Sequence, residues 1–238
     1  MRATLFALPA SHPSLAAQLM LEDKGVDYRR IDLAAATHRT ILRALGFPRK
    51  TVPAVKLDGV RIQGTREIAL ALDALIPAPP LFPADPERRR QVEQAEAWGE
   101  EVLQPVPRRL VWNALKHDSS TLESYLEGAK IGIPTAIAAR TAAPFAMASR
   151  RFNRATDENA KRDLAALPGL IDRVDELIER GVIGGADRNA ADYQIATSLS
   201  LLLTMDDIRP MIEGRPAERL AREVVKNQPG HMPRVFAA

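Results

Sequence analysis

The spacing of apolar and polar positions changes character once along this chain, near residue 77, and that change divides it into two regions. Before it, strand-like and helix-like spacings alternate. Ala3 to Leu8 is a short apolar run, the pattern of a strand buried on both faces. Ser14 to Lys24 carries Leu15, Leu19 and Met20 at helical spacing, and Gly25 supplies its stop. Tyr28 to Leu33 sets Tyr28, Arg30 and Asp32 against Arg29, Ile31 and Leu33, which reads as a second strand. Thr37 to Leu45 is a short helix ended by Gly46 and Pro48. Ala54 to Leu57 and Val60 to Gln63 flank Asp58-Gly59, and Gly tolerates the positive φ of a tight hairpin turn. Thr65 stands as a cap before a helix with Ile68, Leu72 and Leu75 at i, i+4 and i+7. The predicted order is β-α-β-α-β-β-α.

Beyond this region strand signals vanish. Pro77 to Pro86 is proline-dense and cannot continue a helix, so it marks a boundary. The predicted organisation is an α/β domain over 1–77, a linker over 78–86 and an all-helical domain over 87–238. Glu87 to about Lys116 reads as one amphipathic helix kinked or broken at Pro105 and Pro107. Further helices are predicted over Leu122–Ile131, Ala136–Arg151, Asn159–Arg180 (interrupted near Pro168), Ala190–Met205 and Glu218–Lys226. The helix from Ala190 is apolar almost all round, the mark of a buried central helix.

Composition narrows the chemistry. The chain has no Cys, which removes disulfides, zinc–thiolate sites and cysteine nucleophiles. Its four His residues lack ligand spacing, so no metal is expected. The 33 cationic residues are interspersed with 30 anionic ones, a solvated surface rather than a nucleic-acid footprint. No apolar run approaches the ~20 residues of a membrane helix, and Pro9 interrupts the short apolar N-terminus. A cytoplasmic protein is expected.

Four local motifs then carry weight. Ser11-His12-Pro13-Ser14 lies between the first strand and a helix closing at Glu22-Asp23-Lys24-Gly25. Thr51-Val52-Pro53-Ala54 precedes the hairpin, Gln63-Gly64-Thr65-Arg66 follows it, and Asn189-Ala190-Ala191-Asp192 opens the apolar helix. Taken by themselves, Ser11 or Ser14 can simply cap a helix with Pro13 in its first turn. Asn189 and Asp192 have the spacing of a capping box. His12, inside this turn, reads as solvent-facing, with a pocket-facing side chain as the alternative. Together with the element order, these motifs resemble the glutathione S-transferase superfamily, of serine type, over nearly the whole chain.

The resemblance implies a thioredoxin-like N-terminal domain, an all-helical C-terminal domain and a homodimer. It implies glutathione as co-substrate, with Ser11 as the hydroxyl that stabilises the thiolate and Ser14 as the secondary candidate. Val52 would offer its backbone to the cysteinyl part, beside a cis Pro53. Thr65 would hold the γ-glutamyl carboxylate at a helix N-terminus. Gly64 replaces the usual acidic residue or Gln, and Gln63 is the candidate to take over the ammonium, with Arg66 or Glu67 reading a different ligand as the alternative. The second substrate, a small electrophile, would sit between the domains near Trp98, Trp112, Leu115 and Phe145. The absence of Cys argues against relatives that form mixed disulfides, while an isomerase activity stays open. Two alternatives stand beside the transferase: a glutathione-independent binding or interaction protein of the same fold, and a transferase using another low-molecular-weight thiol.

Overall fold

The computed structural model describes residues 2–35, 37–131 and 143–236. Four strands form one sheet in the order β2-β1-β3-β4: β1 Ala3–Ala7, β2 Tyr28–Asp32, β3 Ala54–Leu57 and β4 Val60–Gln63. β1 runs parallel to β2, pairing Leu5 with Arg30, and antiparallel to β3, pairing Leu5 with Val55. Leu57 faces Val60 across the β3–β4 hairpin, where Asp58 and Gly59 adopt φ of 44° and 92°. Positive φ at both central residues is what a two-residue turn needs to match the twist of the strands. Helices α1 His12–Asp23, α2 His38–Ala44 and α3 Thr65–Leu75 complete the thioredoxin-like domain. α1 starts at His12, ahead of the predicted Ser14, because Ser11 is its cap and Pro13 occupies the first turn.

The linker is fastened rather than loose. Lys24 Nζ, at the end of α1 and buried, donates to Asp73 Oδ1 at 2.7 Å and to the carbonyls of Ile76 and Pro79. Asp73 in turn accepts from the backbone N–H groups of Leu81 and Phe82, both at 2.8 Å. One buried ion pair therefore joins α1, α3 and the proline-dense segment.

The rest of the chain is helical. α4 Pro86–Trp98 runs into a π-helical turn over Gly99–Leu103, where Gln104 N–H reaches back five residues to Gly99 at 2.8 Å. α5 Pro105–Ala114 follows. Pro105 and Pro107 thus fall in the first turn of a new helix, where the missing N–H groups had no partner to lose. α6 covers only Leu122–Tyr125, not the predicted stretch to Ile131, because Gly128 turns the chain at φ 72°. α7 is Ala143–Phe152; the predicted start at Ala136 lies outside the described residues. α8 Asp157–Glu179 passes through Pro168 without a break. Pro168 is exposed, so the carbonyl it deprives of a partner turns to water, while buried Leu167, Ile171 and Val174 hold the helix down. α9 Ala190–Leu203, α10 Arg209–Ile212 and α11 Pro216–Val224 close the fold.

α9 is buried along almost its whole length and packs against α1, α4 and α11. The Tyr193 hydroxyl donates to Asp23 at the end of α1. The start of α9 is the predicted capping box: Asn189 Oδ1 accepts from Ala191 N–H at 3.0 Å and Asp192 N–H at 3.3 Å, and Asp192 Oδ2 accepts from Asn189 N–H at 2.8 Å. Asp192 Oδ1 also accepts from Gly184 N–H at 2.6 Å.

Burial pushes the Asp192 carboxyl up to about 6, against the pull of those N–H groups. Because the folded value lies above the ~3.9 of an unfolded Asp, this group's stabilisation is complete below pH ~4 and is lost as pH rises through 6. The loss is on the order of 3 kcal/mol. Asp192→Asn cannot ionise, so the native protein's stability advantage over it should shrink between pH 4 and pH 7.5 in urea unfolding. An advantage that grows with pH would show that the backbone donors outweigh burial.

Candidate functional site

A cavity of about 470 Å³ lies at the junction of the two domains. The thioredoxin-like domain contributes the turn after β1, the Val52–Pro53 segment and the start of α3. The helical domain contributes one face of α5 and part of α6.

Ser11 sits at the cavity as the N-cap of α1. Ala10 adopts φ 52°, a sharp left-handed turn that ends the strand direction, and Ser11 N–H closes the turn on Leu8 O at 3.2 Å. Ser11 Oγ accepts from Ser14 N–H at 3.4 Å and from the Ser14 hydroxyl at 3.0 Å. Ser11 is thus an acceptor on its protein side, with its own O–H available to the cavity. Ser14 is buried behind it and does not line the cavity. Capping and donation are compatible here, since they use different sides of one oxygen.

His12 is not solvent-facing, the preferred expectation; it lines the cavity, the alternative. It is 2% exposed, and its Nε2 lies 3.2 Å from the main-chain oxygen of Gln104 at the head of α5. A carbonyl only accepts, so Nε2 carries the hydrogen in that contact. Burial, reinforced by the Arg108 charge, holds the imidazole well below its ordinary pKa, so it is neutral at physiological pH. Its partner lies in the other domain, beyond the reach of local sequence reasoning.

Val52 and Pro53 line the cavity, and their peptide bond is cis. Pro53 O accepts from Gly64 N–H at 3.1 Å, which sets the two wall segments side by side. Thr65 also lines the cavity and is buried, but it is the first residue of α3 rather than its cap. Gly64 holds the cap position at φ 111°.

Gln63 is not brought to the cavity. Its side chain is buried, accepting from Arg49 N–H at 2.7 Å and donating to the carbonyls of Arg49 at 2.8 Å and Thr51 at 2.6 Å. It fixes the loop that leads to Val52. At Gly64, a Cβ would stand 2.1 Å from Glu67 Oε2 and 2.9 Å from Arg49 Nη1. The Glu67–Arg49 ion pair fills the place where a side chain at 64 would begin. Arg66 points elsewhere, to Glu96.

Of the residues expected to border a second substrate, Trp112 and Leu115 line the cavity, Trp98 packs into the core instead, and the side chain of Phe145 lies outside the described residues. Sequence reasoning missed Arg108, Gln104 and Glu100, all of which line the cavity. A signal existed: positions 104, 108, 111, 112 and 115 fall on one helical stripe, and Arg108 is the cation in it. Burial raises the Glu100 carboxyl above its usual range, with the nearby Glu67 adding to the effect.

Residues 5–80 match the family model described as glutathione S-transferase, N-terminal domain. The described residues have the glutathione S-transferase fold, as their likeness to solved structures shows. A glutathione S-transferase from Rhodospirillum rubrum F11 is 18% identical, with 94% of this chain and 92% of that one covered and a TM-score of 0.58. The beta-etherase LigF from Sphingobium sp. strain SYK-6 is 18% identical over 94% of this chain and 98% of that one, with a TM-score of 0.63. A glutathione transferase homologue from sulfitobacter, solved with bound glutathione, is 17% identical over 93% and 91%, with a TM-score of 0.54. Comparison with curated protein sequences gives no match. Among the described residues, no helix is long and apolar enough to cross a membrane, and no three His, Cys, Asp or Glu are grouped as metal ligands.

Proposed function

We propose that the protein is a serine-type thiol transferase that adds glutathione, or a closely similar low-molecular-weight thiol, to a small electrophile in this cavity. The observation that carries the reading is the Ser11 hydroxyl, facing the cavity at the N-terminus of α1 while accepting from Ser14 behind it. A thiol of pKa ~8.5 is mostly protonated at neutral pH. An O–H donor together with the positive end of a helix favours its thiolate. Sulfur then attacks the electrophilic carbon, the C–S bond forms, and the leaving group departs with its electron pair. The proton released on ionisation of the thiol goes to solvent.

The cysteinyl backbone of such a thiol would pair with Val52, whose N–H and C=O have no protein partner among the described residues. Its γ-glutamyl carboxylate would lie at Thr65 and the first turn of α3. Glu100 takes the place of Gln63 as the group facing the ammonium. Homodimer formation and a cytoplasmic location belong to the same reading.

Titration calorimetry with reduced glutathione tests it. Binding in the micromolar to low-millimolar range is expected, and no heat or competition at high ligand concentration would remove glutathione from the proposal. The second reading, a transferase for a different thiol, is favoured by one observation. Gly64 offers no side-chain acceptor, and the carboxylate nearest to it is already paired with Arg49.

A further inference from the structure

We infer that the helical-domain half of the cavity binds an acceptor substrate with an aromatic or alkyl body and one carboxylate-like anionic group, and that Arg108 receives that group. The chemistry of the acceptor rests on the transferase reading above; the binding does not.

Arg108 stands on α5 among apolar cavity walls supplied by Val111, Trp112, Leu115 and Leu122. Its guanidinium donates to Gln104 Oε1, one turn back on the same helix. Among the described residues no carboxylate forms an ion pair with it, and residues 36 and 132–146 contain no Asp or Glu that could supply one. Several other arginines are paired. Arg109 holds Asp163 with two hydrogen bonds of 2.6 Å, Arg66 holds Glu96, and Arg215 holds both Asp172 and Asp175. Of the other cations at the cavity, Arg49 is paired with Glu67, and Arg39 is stacked 3.8 Å from the centre of the Phe152 ring. Glu100 also lines the cavity but forms no ion pair with Arg108. His12 is neutral and adds no competing charge.

Arg108 is half-buried against these walls; a guanidinium partly removed from water without an anion is unfavourable, and a planar carboxylate can satisfy two of its N–H groups at once. The apolar walls beside it match the remainder of such a ligand. His12, the residue after Ser11, contacts the main chain of Gln104 one turn before Arg108, and all four residues line the cavity, so the anion would be held on the same side as the reacting sulfur.

The test uses the native protein without thiol. Calorimetric titration with cinnamate and with cinnamamide, at one ionic strength, compares an acid with its neutral counterpart. Cinnamate should bind at least about tenfold more tightly, the preference should vanish in Arg108→Gln, and Arg108→Lys should restore part of it. Equal affinities in the native protein, or a preference that survives Arg108→Gln, would overturn the inference. Reduced glutathione titrated into the same preparations keeps the two readings apart. Glutathione binding with equal acid and amide affinities removes the anion site alone. An acid preference without glutathione binding keeps the site and removes the transferase reading.

Discussion

Replacing Ser11 by Ala is expected to lower kcat for thiol addition to an aryl halide by roughly 10²–10³-fold, the usual effect of deleting one donor aimed at developing charge, with thiol affinity nearly unchanged. The Ser11 hydroxyl would donate to sulfur only once sulfur is negative, so its loss falls on ionisation rather than on binding. Each unit of thiol pKa corresponds to about 1.4 kcal/mol. The pH–rate profile of the variant should therefore shift towards the ~8.5 of a free thiol. Ser11 also caps α1, and losing a cap costs about 1 kcal/mol, so the thermal midpoint of the variant has to be measured alongside. Ser14→Ala should have a smaller effect of the same sign, because it removes only the O–H that donates to Ser11 Oγ. An unchanged rate in Ser11→Ala, with glutathione still bound, would remove the serine from the mechanism.

The largest stability effect is expected at the linker. Asp73→Ala should lower unfolding free energy by about 3–5 kcal/mol, measured by urea denaturation. The substitution leaves the buried Lys24 ammonium with carbonyl partners alone and deprives Leu81 and Phe82 N–H of their acceptor. Lys24→Met should cost less. It removes the charge that needs compensation and keeps an apolar stem, while Asp73 retains its two backbone donors and some access to water. A larger loss for Lys24→Met than for Asp73→Ala would show that the ammonium's carbonyl contacts, not the carboxylate, hold the segment.

Features set by neighbours in sequence were the legible ones. Asp58-Gly59 specifies its hairpin through the φ values that two adjacent residues must adopt, and Asn189 with Asp192 specifies the start of α9 within one turn. Both motifs work without reference to the rest of the chain. Pro168 misled because whether a proline ends a helix depends on what grips the helix on either side. Gln63 misled for a related reason: its side chain closes onto a loop from Arg49 to Thr51, fourteen to twelve residues earlier. His12 and Arg108 owe their environments to the other domain, and the Glu67 carboxylate over Gly64 depends on where Arg49 lies. The candidate serine was readable since it sits in a local strand–turn–helix. The charge opposite it was not, since it is delivered by tertiary packing.

α1 is held at both ends by the helical domain, through His12 to Gln104 at its beginning and through Asp23 to Tyr193 at its end. With the linker fastened as well, the described residues offer no hinge between the two domains. A thiol or acceptor is therefore expected to enter without a clamshell motion of the two halves. Entry is then expected beside the exposed Phe152 ring, on which Arg39 is stacked at the cavity.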